Sequence, residues 1–233
     1  YALVVAAAAG LMRGFAGVGS GMLMAPFFVH LFGPVQTVGI IIMIEAVVTG
    51  FLLPSVWSDI RWRVIGAMGI AAALAMPIGA RVLVSVDPAA VQIGVAALVT
   101  LSALALMSGW RYVGRKPLAA TLGVGALSGL LMSITSLGNP PVMLYLLSSR
   151  DSAATNRANF TGYFAITLAA LIAVMSLSGL LTFGMAQVSA TLLPVFLLAT
   201  WVGSKLFRKS NEKLYRRVAL TILLMAGLYG FFR

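Results

Sequence analysis

Cysteine is absent from this 233-residue sequence, which excludes disulfide bonds, thiol catalysis and iron–sulfur ligation. Charge is scarce as well, because charged residues make up 9% of the chain, where a soluble domain has about 25%. With one histidine and five carboxylates, there is little material for a zinc or two-metal site, so we expect no metal and no cofactor. The remainder is strongly apolar, at 61% hydrophobic residues and a mean hydropathy of +1.04. This composition predicts an integral membrane protein.

The few charges are unbalanced in sign, with 16 Lys and Arg against 5 Asp and Glu, for a net charge of +11. A nucleic-acid partner is one reading of such an excess. In a multi-pass membrane protein, however, Lys and Arg collect in cytoplasmic loops. We therefore expect no nucleic acid, and we expect the basic segment 205–217 to touch anionic membrane lipid. Residues 1–9 are typical of the body of a helix rather than of a signal peptide.

Short polar or basic segments divide the chain into eight apolar blocks. The blocks lie at about 1–33, 35–54, 63–84, 88–109, 117–149, 156–180, 186–206 and 214–232. The first and fifth blocks hold 33 residues each, which as one helix is about 50 Å, against a hydrocarbon layer of about 30 Å. Helix-weakening glycines or prolines interrupt both, in "GLMRGFAGVGSGMLMAP" (10–26) and "SITSLGN" (133–139). We predict that each long block turns back in mid-bilayer.

The two long blocks also match each other when the sequence is shifted by 115 residues. The matched pairs are Gly10 with Gly125, Gly14 with Gly129, Ser20 with Thr135, and Pro26 with Pro141. Later in the halves, "GARVL" (79–83) matches "GSKLF" (203–207) at an offset of 124. This order predicts an internal duplication in one membrane domain, with residues 1–110 as the first repeat and 117–233 as the second.

The distribution of basic residues favours one topology. If all eight blocks cross fully, Lys and Arg divide 6 against 9 between the two sides, with Arg13 omitted. If the two broken blocks are re-entrant hairpins, the division becomes 13 against 2, which the positive-inside rule prefers. We therefore predict an all-α polytopic membrane protein of two inverted repeats, each a broken re-entrant helical hairpin plus three transmembrane helices.

The breaks are the candidate substrate site. A half-helix that begins inside the membrane presents unpaired N–H groups and partial positive charge, which attract an anion. Two breaks meeting near the midplane would form a small polar cradle for an oxyanion. The predicted substrate-binding residues are Gly17, Gly19, Ser20 and Gly21 at the first break, and Ser133, Thr135, Ser136, Gly138 and Asn139 at the second. For Gly10, Gly14, Gly125 and Gly129 we favour close helix packing instead.

Ionisable residues inside apolar blocks complete the set of candidates, because such residues usually face the interior of a helix bundle. Arg13 precedes the first break by one turn, where it would pair with an anionic substrate or with a carboxylate. Glu45 is the only acid deep in a block, and is either a proton-coupling site or the partner of Arg13. Arg157 follows the second hairpin, either at a cytoplasmic opening or as part of a helix start. For His30 we favour a packing role.

The glycine run at 10–26, its degenerate second copy and the eight apolar blocks together resemble the TauE/SafE sulfite exporter family over the whole chain. The resemblance implies a secondary transporter, not an enzyme, that exports a small organosulfur or sulfur oxyanion of the sulfite, sulfonate or sulfoacetate type. It also implies a place in the bacterial inner membrane, and the two-repeat plan predicts alternating access, with the halves moving around the breaks. Proton coupling is left open. Gly19-Ser20-Gly21 stands where a glycine triplet is frequent, so the substrate within this class is left open too.

Two other classes are weighed against the carrier. An anion or small-solute channel of aquaporin-like architecture is one, because "GNPP" (138–141) resembles half of an Asn-Pro-Ala pair. The first copy, "MAPF" (24–27), lacks the asparagine. An intramembrane protease is the other, but Val18 breaks the serine motif around Ser20. The oligomeric state is left open between a monomer and a homodimer.

Overall fold

The computed structural model describes residues 1–16, 19–108, 117–136, 139–146 and 152–207, together with 221, 224, 225 and 227–229. Every regular element within these residues is a helix. The helices are α1 (Ala2–Ala16), α2 (Ser20–Phe32), α3 (Pro34–Val56), α4 (Trp62–Ser85), α5 (Pro88–Met107), α6 (Leu118–Thr135), α7 (Asn139–Leu146), α8 (Ala153–Leu177) and α9 (Phe183–Phe207), with a 3₁₀ turn at Trp57–Asp59.

Six of the described helices are long and apolar enough to cross a membrane, namely α3, α4, α5, α6, α8 and α9. This confirms the prediction of a polytopic, all-helical membrane protein. Five of the six coincide with predicted full crossings. The sixth, α6, is the first arm of the second broken block, and the predicted crossing at 214–232 lies mostly outside the described residues.

Both long blocks fold back on themselves. The rings of Tyr1 and Phe27 lie 6.0 Å apart, whereas an unbroken helix would separate those residues by about 39 Å. In the second block, the Thr121 Oγ1 and Tyr145 hydroxyl oxygens are 2.6 Å apart, against about 36 Å along a continuous rod. The two breaks are therefore turns. The first arms of the two hairpins have 15 and 18 residues and are therefore about 22 Å and 27 Å long. An upright arm of that length reaches beyond the middle of a hydrocarbon layer of about 30 Å, which is further than predicted.

Glycine faces hold the first arm of each hairpin against a distant helix. Helix α1 packs on α9, and α6 packs on α4. A Cβ atom added at Gly10 would lie 2.5 Å from the Phe196 carbonyl oxygen, and one added at Gly129 would lie 2.6 Å from Ala72 Cα. Such close backbone approach is what small residues permit between membrane helices. The predicted packing role of these glycines is confirmed.

The contacts at the other side of each interface are also made by glycine. A Cβ added at Gly79 of α4 would lie 2.8 Å from the Leu130 carbonyl oxygen of α6, and one added at Gly203 of α9 would collide with the Leu11 carbonyl oxygen of α1. Gly79 and Gly203 are the two glycines matched at the offset of 124. The first hairpin thus packs on α9 of the second half, and the second hairpin packs on α4 of the first half.

Helices α3 and α8 pack against each other at the centre and are the most buried of the six long helices. Large apolar side chains on the outer helices point outward instead, including Leu74, Ile93 and Leu198. In a bilayer such faces contact lipid. Several polar or charged side chains on α3 and α8, among them Glu45, Thr49 and Thr167, are nevertheless buried in protein, and these are the ones that need an explanation.

Gly125 gives a direct test of the α6–α4 interface. A Cβ there would meet the Met68 backbone, with its carbonyl carbon at 3.0 Å, so Gly125→Ala is expected to lower the unfolding free energy by about 1–3 kcal/mol. Gly123, on the same helix, has no atom within 4 Å of such a Cβ, so Gly123→Ala is the matched control and should gain up to about 1 kcal/mol. Thermal unfolding of the detergent-solubilised protein measures both. Equal shifts for the two variants would contradict this account.

Candidate functional site

The first break separates α1 from α2. Helix α1 ends at Ala16 and α2 begins at Ser20, with Gly19 at the N-cap in a left-handed conformation at φ 97°. Glycine adopts this conformation without strain, but it has no side chain with which to cap a helix. The first-turn N–H groups of α2 are therefore left for other acceptors. Gly17, a predicted member of this site, lies outside the described residues.

The second break separates α6 from α7. Ser136 ends α6 in a left-handed conformation at φ 61°, with its N–H donated to the Met132 carbonyl at 2.9 Å. Ser136 is 5% exposed, and its hydroxyl has no hydrogen-bond partner among the described residues. Helix α7 then begins at Asn139. Gly138 and the side chain of Asn139, both predicted site members, lie outside what the structure describes.

The two breaks meet. A Cβ atom added at Gly21, in the first turn of α2, would lie 3.4 Å from the Ser136 carbonyl oxygen and 3.7 Å from the Ile41 side chain. The N-terminal end of one half-helix therefore faces the C-terminal end of another, which is a favourable arrangement of helix dipoles. A residue without a side chain at position 21 allows this approach.

A buried ion pair lies beside the first break. Arg13 and Glu45 are each 3% exposed, and Arg13 Nε lies 3.3 Å from Glu45 Oε2. The Ser20 hydroxyl donates a hydrogen bond to the other carboxylate oxygen, Oε1. Glu45 thus brings its negative charge to the first turn of α2. Of the two roles predicted for Glu45, the structure shows partnership with Arg13 and leaves proton coupling open.

Two further side chains surround the guanidinium of Arg13, and sequence analysis missed both. Arg13 Nη2 donates to the Thr49 hydroxyl at 3.3 Å, and Arg13 Cζ lies 5.0 Å from the centre of the Phe164 ring, within cation–π range. Thr49 is four residues after Glu45, on the same face of α3. That spacing is the one sequence signal that would have pointed to it.

The hydroxyls of Ser133 and Thr135 are occupied within α6. Ser133 Oγ donates to the Gly129 and Leu130 carbonyls at 2.9 and 3.1 Å. Thr135 Oγ1 donates to the Leu131 carbonyl at 2.6 Å. Both residues are buried beside the second break, and each hydroxyl donates to a carbonyl of its own helix.

The remaining candidates lie away from the ion pair. Arg157 is exposed in the first turns of α8. Nearby, Asn159 accepts the Arg61 backbone N–H at 2.8 Å, which ties α8 to the segment before α4. His30 was expected to be packed, but it is exposed near the end of α2. The polar centre of the described structure is therefore formed by Arg13, Ser20 and Glu45 with their neighbours.

Comparison with known families decides the class. The model of the family described as Sulfite exporter TauE/SafE matches residues 2–230, nearly the whole chain. The chain belongs to the TauE/SafE sulfite exporter family. No curated protein and no solved structure matches significantly.

Membership of the TauE/SafE family makes this chain a multi-pass membrane protein of a transporter family. It does not favour the aquaporin-like channel alternative, and it agrees with the prediction of a non-enzyme. Among the described residues, no group of three or more His, Cys, Asp or Glu side chains lies close enough to hold a metal ion.

Proposed function

We propose that this chain is a secondary carrier that exports a small sulfur oxyanion or sulfonate across the bacterial inner membrane. Membership of the sulfite exporter family supports anion export. The observation that carries the location of the site is the buried Arg13 next to the first turn of α2, where the two breaks meet. A cation and the first-turn N–H groups of a helix together form the donor set that a tetrahedral or pyramidal oxyanion requires.

In this proposal the substrate lies between the breaks. Gly19, Ser20 and Gly21 bring the α2 backbone and one hydroxyl to it, and Arg13 supplies the charge. The buried Ser136 hydroxyl, without a partner among the described residues, supports a donor from the second break. On sequence grounds the proposed site also includes Gly17, Ser133, Thr135, Gly138 and Asn139, with Arg157 at the cytoplasmic opening. Ser133 and Thr135 would have to exchange their carbonyl partners for the substrate.

Alternating access is proposed to come from two inverted repeats, residues 1–110 and 117–233. The crosswise packing supports this arrangement, because α1 on α9 and α6 on α4 are contacts between matched segments. A movement of one half against the other would open the meeting point of the breaks to one side at a time. Glu45 is the proposed proton-coupling residue, because it is the described acid in contact with Arg13.

The test is flux through purified protein in liposomes. Radioactive sulfite or sulfoacetate is loaded, and efflux is followed with and without a pH gradient. We expect saturable flux and counterflow, in which unlabelled substrate on one side drives labelled substrate from the other. Protein-free liposomes and liposomes with Arg13→Gln serve as controls. No flux of any sulfur oxyanion or sulfonate would refute the proposed function, and flux that neither saturates nor exchanges would indicate a channel.

Ser136→Gly separates stability from binding at the second break. The glycine removes the strain of a left-handed serine, so stability should rise by about 1 kcal/mol. The same change removes a hydroxyl that we propose as a donor to the anion, so affinity should fall about tenfold or more. Thermal unfolding and sulfite binding measure the two effects. A variant with unchanged affinity would remove Ser136 from the site.

A further inference from the structure

Glu45 contacts donors that the proposed function assigns to the anionic substrate. Its carboxylate accepts from the Ser20 hydroxyl at the first turn of α2 and pairs with Arg13 through its second oxygen. These are two of the donors that the proposed function assigns to the substrate. In this conformation the substrate's donors are therefore already bound to an anion, and that anion is part of the chain.

The second half has a comparable side-chain contact between a hairpin arm and a central helix, but neither partner is charged. Ser128 follows Arg13 by 115 residues, the offset that matches the two hairpins. The Tyr163 hydroxyl donates to Ser128 Oγ at 2.7 Å, which joins α6 to α8 as the ion pair joins α1 to α3. A neutral hydrogen bond is thus sufficient to hold a hairpin arm on a central helix. The buried charges of the first half require a reason other than attachment.

No other described charge shares the contact with Glu45. The ion pair with Arg13 is the one that Glu45 forms within the described ranges. The other charged or titratable side chains on described elements that contact α3 are His30, Asp59, Arg63, Arg81, Tyr163, Arg157 and Lys205, with Asp87 at the N-cap of α5. Protonation of Glu45 would therefore act chiefly on Arg13 and Ser20.

We propose that Glu45 is a tethered competitor: it holds the substrate's place in the empty carrier, and the substrate binds by displacing it. The proposal rests on the proposed function, because it needs an anion at Arg13. A displaced carboxylate has lost its cation while still buried, so it takes up one proton from the aqueous phase and becomes neutral. When the proton leaves, the carboxylate returns to Arg13 and Ser20 and expels the substrate. Binding of one anion is thereby linked to uptake of one proton.

Glu45→Gln tests the competition directly. The amide keeps an acceptor for Ser20 but carries no charge to compete, so sulfoacetate and sulfite should bind about tenfold tighter than to the natural protein. The ratio of the two dissociation constants should be larger at mildly alkaline pH than at acidic pH. Titration of the ligand itself cancels in this ratio, because both proteins see the same ligand.

Tyr163→Phe is the matched control, because it breaks the neutral hydrogen bond of the second half and alters no charge. It should leave the affinity ratio near one. A second measurement needs no variant: the natural protein in weak buffer at mildly alkaline pH should take up about one proton per bound sulfoacetate, as read by a pH indicator.

The outcomes separate the two proposals. If the natural protein transports sulfite or sulfoacetate but Glu45→Gln binds no tighter and no proton is taken up, the competitor role is wrong and the carrier stands. An equal gain for Tyr163→Phe would also overturn it, since loosening of a helix would then be the cause. If the natural protein neither binds nor transports these anions, both proposals fail.

Discussion

Arg13→Gln is expected to lower the unfolding free energy by about 3–5 kcal/mol and to abolish transport. The variant leaves the Glu45 carboxylate buried, 3% exposed, without the cation that lies 3.3 Å away in the natural protein. It also removes the donor to Thr49 and the cation over the Phe164 ring. Breaking one side of a buried pair costs much more than the pair itself contributes, because an uncompensated charge remains.

A double-mutant cycle isolates the ion pair. Arg13→Gln combined with Glu45→Gln has no buried charge at this position, so it should recover most of the stability that Arg13→Gln loses, but no transport. Lys205→Gln is the control for loss of a cation. Lys205 Nζ lies 3.6 Å from the centre of the Trp201 ring at an exposed position, and its removal should cost less than about 1 kcal/mol. Thermal unfolding in detergent measures these variants, the Glu45→Gln single variant that completes the cycle, and the natural protein. Arg13→Gln as stable as the natural protein would contradict the role assigned to the pair.

Much of the fold follows from lengths and glycines. A block of 33 residues is too long for one upright crossing, and the clustered glycines show where the helix is weakest, so both turns were predictable. The packing role of Gly10 and Gly129 was predictable as well. Which helix each of them contacts was not, because α1 and α9 are joined by no local signal. A face of small residues indicates that a helix packs closely against another one, but the whole bundle determines which helix that is.

The candidate site was predictable where charge is involved. Charges inside apolar blocks are costly, so Arg13 and Glu45 were natural partners even 32 residues apart. Phe164 carries no such signal, because a phenylalanine within an apolar helix usually packs in a core or against lipid. The sequence also did not show that the Ser133 and Thr135 hydroxyls donate to carbonyls of their own helix. A serine or threonine in a helix can donate either to its own backbone or to a ligand, and the sequence is the same in both cases.

Gly21→Leu is expected to eliminate most transport, by a factor of about 100 or more, while leaving the protein folded enough to insert. In the observed conformation a Cβ at position 21 would already touch the Ser136 carbonyl at 3.4 Å and Ile41 at 3.7 Å. Alanine therefore fits at ordinary contact distance. The further carbons of leucine would extend past this contact, toward the place where we propose that the substrate binds, and a misplacement of about 1 Å in such a site already costs a hundredfold.

Gly21→Ala is the graded comparison, and it should retain most of the flux. Gly50→Leu is the control for leucine itself, because a Cβ at Gly50 of α3 meets no atom within 4 Å and that position is exposed. Liposome efflux of sulfite, normalised to inserted protein, measures the series. If Gly21→Leu transports as well as Gly50→Leu, the meeting point of the breaks is not on the substrate's path. Loss of flux in Gly21→Leu, with flux retained in Gly21→Ala and Gly50→Leu, would support a path there, because only Gly21→Leu adds carbon beyond Cβ at that contact.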